Sequence, residues 1–457
     1  MQAPDLSALV PDASGAQGAA AGAAAVVEAP ADAGGAPPAA SASAVPTDPA
    51  LRDLIDRVRA ARADGTALDI RGGGTKAWYG EAPAGEPMDT GALRGISSYE
   101  PSELVVTVRA GTPLAELEAT LAEKGQCLPF EPPRFGASGA SGATGSGGGG
   151  TVGGMVAAGL AGPARAAVGG VRDYVLGATL LNGRAEVLSF GGQVMKNVAG
   201  YDVARMLAGS LGTLGLICEV SLKVLPVPVA RTTLRFDVSQ ADALRMLNTW
   251  GGQPLPLNAS AWWQGTLVVR LAGAAAAVES AVQRLGGEVV DPEMANGFWT
   301  GLRDQTDEFF AAACQAVETG NVDQANDAND ANDANDANDA NGANGANCAD
   351  DADSTDGSGM ALWRLSVPSV APPLALEGDT LVEWGGGQRW LVSSAPAARV
   401  RGAAAAAGGH ATLYRAQDKS PGAFTPLSAP LARIHRGLKT AFDPDGVFNR
   451  GRQYLDL

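Results

Sequence analysis

Two glycine clusters far apart in the chain, Gly72-Gly73-Gly74-Thr75 and Thr151-Val152-Gly153-Gly154, constrain what it can fold into. Each leaves the backbone without side-chain cover, so several N–H groups can approach one phosphate together. Two such loops facing each other would grip a long phosphorylated ligand from both sides. The first reads Arg71-Gly72-Gly73-Gly74-Thr75-Lys76 and follows a short strand expected at Leu68 to Arg71. It is not a Walker A loop, which needs G-K-[ST] at a set spacing. Its bland reading is an ordinary glycine turn, and that of the second cluster is close helix packing through small residues. A G-x-G-x-x-G match at Gly148, Gly150 and Gly153, with Asp173 beyond it, is discounted. A glycine tract produces it by chance, and no apolar strand precedes it.

The surrounding pattern is that of a mixed α and β protein. Residues 1–46 are Ala, Gly, Pro and Ser with few large apolar groups, and read as a disordered extension. Asp48-Pro49 is an N-cap followed by a helix-opening proline, and Leu51, Leu54, Ile55 and Val58 share one helical face closed by Gly65. A valine-rich strand is expected at Leu104–Ala110, then a helix carrying Leu114, Leu117 and Leu121 that Gly125 closes. Residues 136–150 are nearly all Gly, Ala and Ser and read as an expanded loop. Val175–Leu181 and Ala185–Phe190 form a hairpin across Asn182-Gly183, and Leu216–Val224 is a further strand. Domain boundaries are expected at 47–228, 229–428 and a C-terminal segment 429–457 that returns to the first domain.

From residue 231 the order is strand, helix, strand, strand, helix, strand, a split β-α-β unit. A partly degraded copy is expected at 361–415, the two sharing one antiparallel sheet with helices on one face. Between them, 321–358 carries an Asn-Asp-Ala repeat. Calcium binding is its sharp reading, but the period of three and the missing bidentate glutamate favour a solvated insertion. Pro430 opens a last helix with Leu431, Ile434 and Leu438.

The formal charge of −16 opposes nucleic-acid binding, although ten of the aspartates fall in 323–356. Cys127, Cys218, Cys314 and Cys348 are scattered, with no C-x-x-C, so neither a zinc site nor a cluster is expected and no metal is assigned. Such spacing suits reduced thiols in the cytoplasm. No basic, apolar leader and no run of about 18 apolar residues is present.

Five motifs then carry a specific resemblance: R-G-G-G-T-K, T-V-G-G-M-V-A, V-R-D-Y-V-L-G, F-G-G-Q-V-M-K-N-V-A-G-Y-D-V and G-S-L-G-T-L-G. The terminal F-D-P-D-G-V-F-N-R-G-R adds a sixth, with Arg450 where the pattern has proline. The chain resembles the vanillyl-alcohol oxidase / para-cresol methylhydroxylase flavoproteins, and within them the E subunits of glycolate oxidase. The resemblance implies an α+β fold, with a two-part FAD-binding domain and an antiparallel-sheet cap of split β-α-β units. It implies non-covalent FAD, with Arg71, Gly72, Gly73, Gly74, Thr75 and Lys76 at the pyrophosphate. Thr151, Val152, Gly153 and Gly154 would contact the ribityl and pyrophosphate region, and Gly212, Thr213, Gly215 and Ile217 the adenine end. It also implies a catalytic flavoprotein subunit and an iron–sulfur subunit as partners, a small hydroxy acid as the complex's substrate, and membrane contact only through partners.

Oxidising a hydroxy acid needs a cation for the carboxylate and a base for the hydroxyl. Only His410 and His435 are present, each with a structural or surface role as the favoured reading; Arg364, Arg389 and Arg415 are the candidate cations, and Tyr414 joins them. No catalytic residue is assigned. The expectation is a chain that binds FAD and relays electrons or stabilises an assembly, against the rival of a self-sufficient oxidase. A scaffold without cofactor is disfavoured, because unliganded glycines only cost stability.

Overall fold

In the computed structural model, which describes residues 48–136, 149–192, 202–320 and 359–456, the chain builds two large sheets and two two-stranded ribbons. The N-terminal extension, most of the 136–150 loop, the Gln193–Tyr201 part of the fourth motif and the 321–358 insertion lie outside the described residues.

Helix α1 (Pro49–Asp64) starts where the sequence puts it: the Asp48 carboxylate accepts from Ala50 N, and Gly65 ends it at φ +71°. Strands β1 (Leu68–Arg71) and β2 (Glu86–Asp89) pair in parallel, and β3 (Ile96–Glu100) and β4 (Val105–Arg109) pair antiparallel. Helix α2 (Leu114–Ala122), the short β5 (Gln126–Cys127), and helices α3 (Val152–Ala158), α4 (Arg165–Val168) and α5 (Val171–Tyr174) follow. The expected hairpin is β6 (Val175–Leu181) with β7 (Val187–Gly191). Helix α6 (Val203–Met206) leads to β8 (Leu216–Lys223), and β9 (Leu225–Pro226) pairs with β5.

These strands order as β3-β4-β8-β6-β7, all antiparallel. Period-two alternation gives the sheet two apolar faces. Leu180, Ile217 and Val220 pack with α2 and α3 through Leu117, Leu121, Val152 and Val156. Leu181, Leu216 and Cys218 turn the other way, onto α1, Leu68 and Met88.

The second sheet repeats one unit. The first copy is β10 (Ala230–Asp237), α7 (Gln240–Gly251), β11 (Leu257–Trp263), β12 (Thr266–Gly273), α8 (Ala275–Leu285) and β13 (Glu288–Val289). After α9 (Pro292–Asp304) and α10 (Glu308–Thr319) comes the second copy: β14 (Ala361–Ser366), β15 (Asp379–Glu383), β16 (Gln388–Ser393), α11 (Ala397–Ala406) and β17 (His410–Arg415). The strand order β13-β10-β12-β11-β15-β16-β14-β17 places the copies edge to edge through β11 and β15. The second copy has no described helix between its first two strands, which is the degradation read in the sequence.

The helices are not confined to one face. Helices α7 and α8 cover one side through Leu247 and Val278, and α11 covers the same side of the second copy through Val400. Helices α9 and α10, absent from the sequence reading, pack Trp299, Phe309 and Phe310 on the opposite face. There they join Leu362, Trp390, Tyr414 and, from the first part of the chain, Tyr79 and Phe135. The physical reason is that this face is apolar too, and a sheet with two apolar faces must be covered on both.

Helix α12 (Ala429–Phe442) carries the chain back. Its Leu438 and Phe442 pack on the first core, while Leu431 and Ile434 remain exposed. Beyond it, Asp443 is buried. It accepts from Val447 N and Phe448 N at 2.8 Å each and from Lys439 Nζ at 2.7 Å. Lys439 Nζ also donates to the carbonyls of Thr213 and Phe448 at 2.8 Å. Asp443→Ala would leave the Val447 and Phe448 amides buried without their acceptor and the Lys439 ammonium without its counter-charge. The expected cost is about 3 kcal/mol, read as a lowered denaturant midpoint at unchanged m-value; a loss below about 1 kcal/mol would mean that water replaces the carboxylate.

Candidate functional site

The distant glycine clusters meet. A Cβ on Gly72 would lie 2.2 Å from Thr151 Oγ1, and one on Gly73 would lie 2.6 Å from Gly149 O. Thr151 Oγ1 is itself fixed as the N-cap of α3, accepting from Gly154 N at 3.2 Å. The loop after α6 joins them: Gly209 N and Leu211 N donate to Val156 O and Ala157 O at 3.0 and 2.9 Å. The tail completes the ring, with Asn449 Oδ1 accepting from Ile70 N at 2.8 Å and Asn449 Nδ2 donating to Leu211 O at 2.6 Å.

These four segments enclose one cleft, open to solvent. Of the residues expected at a nucleotide, Gly72, Gly153, Gly154, Gly212, Gly215 and Ile217 line it. Gly73, Gly74, Thr75 and Lys76 continue the first loop beyond it. Arg71 is exposed and pairs with Asp69 at 2.6 Å; Val152 is wholly in the core; Thr213 is buried and donates its hydroxyl to Ser210 O at 2.8 Å. Sequence reasoning missed Ile70, Thr90, Ala110, Ala157, Leu211 and Asn449, which also line the cleft. The terminal F-N-R-G-R motif was the available signal for Asn449.

The clusters do different work, which departs from the expectation that both offer bare amides. In the second, Val152 N donates to Thr112 O at 2.9 Å and Gly153 N to Ala110 O at 2.8 Å, and Gly154 N is held by the cap. What it offers a ligand is a surface without side chains. A Cβ on Gly153 would fall 2.6 Å from Ala110 Cβ, so the glycine is also demanded by packing against the end of β4. In the first cluster, the amides of Gly72 through Lys76 have no acceptor among the described residues, and Gly74 sits at φ +69°. Consecutive free amides around such a turn form an anion nest.

Lys76 adds a charge. Its ammonium stands where a Cβ on Gly150 would be 2.9 Å away, and 5.5 Å from the centre of the Phe135 ring. It makes no ion pair with any described residue, and desolvation lowers its pKa to about 8. An unpaired, desolvated cation beside free amides fits a diphosphate, whose oxygens take donors and charge together. Ten of the twelve residues lining the cleft are glycine, alanine or aliphatic, and Thr90 and Asn449 are the polar exceptions.

The residues weighed for chemistry lie elsewhere and do not converge on a base. Tyr414 is buried, its phenol pushed well up by desolvation, and its oxygen accepts from Gln305 Nε2 at 3.0 Å. Arg389 is buried and committed to the carbonyls of Ala371, Pro372 and Gly386. Arg364 donates to the Tyr79 hydroxyl at 3.1 Å. His410 is exposed at the start of β17, its pKa lowered by desolvation and then by Arg364. His435 meets Tyr454 edge to face, 5.7 Å between ring centres.

Residues 42–191 match the family described as FAD binding domain. The chain is 41% identical over 404 residues to glycolate oxidase subunit GlcE of Escherichia coli (strain K12), covering 88% of this chain and 97% of that protein. It is 29% identical over 175 residues to glycolate oxidase subunit GlcD of Bacillus subtilis (strain 168), covering 38% and 35%. Among solved structures, an alkyldihydroxyacetonephosphate synthase shares the fold at a TM-score of 0.50 and 12% identity, covering 87% of this chain and 74% of that one.

Two outcomes test the cleft. Gly72→Ala forces a methyl group onto the Thr151 hydroxyl and parts the loops. The protein is expected to purify with its flavin content reduced at least about tenfold and its stability lowered by about 1–3 kcal/mol; full flavin content would mean the loops need not touch. Lys76 gives a pH dependence. Below pH 8 the ligand-free lysine already carries its proton, whereas above pH 8 binding an anion must first recharge it. FAD affinity is therefore expected to be level below about pH 8 and to fall with rising pH above it, up to about tenfold per unit. Lys76→Met should bind more weakly and lose that slope; a titration with the same slope in both proteins would exclude Lys76.

Proposed function

Because the chain belongs to the family of glycolate oxidase E subunits, FAD-binding flavoproteins of the vanillyl-alcohol oxidase / para-cresol methylhydroxylase type, we propose that it is the FAD-binding subunit of a complex that oxidises glycolate to glyoxylate. The observation that carries the reading is the convergence of three glycine loops and Asn449 on one cleft, with free amides and an unpaired lysine beside it. Gly72 to Lys76 hold the pyrophosphate through main-chain N–H groups and the Lys76 ammonium. Gly153 and Gly154 let the cofactor lie against the start of α3, and Gly212, Gly215 and Ile217 line the adenine end. Bound FAD supplies an acceptor that takes two electrons and can release them singly. The cofactor is held without a covalent bond, since the first loop contains neither histidine nor cysteine.

The subunit relays electrons or stabilises the assembly, and a separate flavoprotein subunit performs the oxidation. Its own residues support that division. Removing the hydroxyl proton needs a base near neutral pKa at the substrate. Tyr414 is raised and hydrogen-bonded, and His410 is exposed, so neither is placed for that work. An iron–sulfur subunit carries the electrons onward. Among the described residues no helix is long and apolar enough to cross a membrane. On the proposed reading the subunit acts in the cytoplasm and reaches a membrane through its partners.

A self-sufficient oxidase is the second reading. It is favoured by Arg364, whose guanidinium lies 5.7 and 5.6 Å from the Tyr79 and Tyr414 rings and pairs with no carboxylate among the described residues. Anaerobic mixing of the FAD-loaded chain with glycolate decides between them. The expected result is an unbleached visible band over many minutes, with full bleaching by dithionite; rapid bleaching by glycolate would establish the second reading.

A further inference from the structure

We infer that a cavity beneath the end of β17 is a second ligand site, one that takes a small organic monocarboxylate. The cavity is open to solvent and shares no lining residue with the nucleotide cleft. Its walls are Trp78 from the loop after the nest, Cys314, Val317 and Glu318 from the last turns of α10, and Arg415 and Lys419 at and beyond the end of β17.

Arg415 is the recognition element. Its Cζ stacks 3.8 Å from the centre of the Trp78 ring. Its guanidinium makes no hydrogen bond or ion pair with any described residue. Stacking fixes the plane of the guanidinium and leaves its in-plane N–H groups free, the geometry that accepts two carboxylate oxygens side by side. Arg389 and Arg364 differ: one is committed to three carbonyls and the other to a phenol. Lys419 braces the site. Its ammonium donates to the Trp78 carbonyl and, at 2.8 Å, to the Gly80 carbonyl, and one of its three N–H groups stays available.

The walls set the ligand class. Val317 and the indole present apolar surface for an organic body. Glu318 is exposed on the same wall, and its charge disfavours a dianion. A monocarboxylate with a small carbon skeleton satisfies the fork, the apolar wall and the single opposing charge together. Phosphate satisfies only the first.

Calorimetric titration of the FAD-loaded chain with benzoate, pyruvate and inorganic phosphate tests this. Saturable one-site binding of both carboxylates is expected, with phosphate at least about tenfold weaker and the visible flavin band unmoved. Arg415→Gln should weaken carboxylate binding roughly 10- to 100-fold, and Arg415→Lys, which keeps the charge and loses the fork, should fall between. Flavin content serves as the folding control. Glu318→Gln, which leaves the fork intact, should narrow the preference over phosphate about threefold or more. Four results would overturn the assignment: no saturable carboxylate binding, equal or tighter phosphate binding, an unchanged preference in Glu318→Gln, or carboxylate binding undiminished in Arg415→Gln.

Discussion

The cleft depends on a close approach of backbone to backbone. Gly72 and Gly73 lie against Thr151 and Gly149 at distances that no Cβ tolerates. Neither loop can hold this position alone. The first is the end of β1, an edge ribbon of four residues, and the second is the cap of a seven-residue helix. Each is anchored by the core behind it: β1 by Leu68 against α1 and Phe448, α3 by Val152 and Val156 against the five-stranded sheet. The glycines are therefore required first by the contact between the loops. Their freedom to bind an anion follows, because a loop pressed on its neighbour by sterics alone keeps its amides unpaired.

The division of labour between the clusters follows from their local structure. The second opens a helix, and the amides at a helix start must find acceptors. Here Thr112 O, Ala110 O and the Thr151 hydroxyl provide them. The first belongs to no helix or strand after Arg71, so nothing internal claims its donors. The tail then binds the assembly from outside. Asp443 and Lys439 tie the turn after α12 to Thr213 and Phe448, and Asn449 holds β1 and Leu211 at once. Arg452 donates to the carbonyls of Lys76, Ala77 and Glu81 and so fixes the far side of the nest. About a dozen residues at one end of the chain thus secure a site made at the other.

Much of this was legible because local rules were obeyed. Asp48-Pro49 and Gly65 delimit α1, Asn182 opens the turn of the β6–β7 hairpin, which Ala185 completes at φ +60°, and the strand and helix periods from residue 231 give the element order of the first unit. Helices α9 and α10 were not legible. Their apolar residues, Trp299, Phe309 and Phe310 among them, answer to a second apolar sheet face that becomes visible only once the strands are aligned. The exposure of Leu431 and Ile434 was equally hidden, since helical periodicity names a face and not what covers it. In the cleft, glycine spacing announced the loops, whereas Ala110 and Thr90 carry no local mark. They are placed by β4 and by the turn after β2, and only the approach of Gly153 to Ala110 and of Thr90 to the Arg71 carbonyl gives them a role.

The second sheet raises a question of economy that its chemistry answers. Its face toward the first part of the chain is dense with aromatic rings: Tyr414 lies 4.7 Å from Trp390, 4.9 Å from Trp78 and 5.5 Å from Tyr79. Buried rings in edge-to-face contact make a stiff, dry junction. Inside it the Glu383 carboxyl accepts from the Trp390 and Gln388 side chains, and the Tyr414 hydroxyl accepts from Gln305 Nε2. Burial holds Glu383 at about 7, so even this carboxyl sits near neutrality without an ionic partner. A junction arranged for proton abstraction would instead present an ionisable group to an open space. What this one presents is rigidity between two halves, with the arginines Arg364 and Arg415 at its margin. That arrangement fits a subunit whose task is to hold a flavin at a fixed place in a larger assembly.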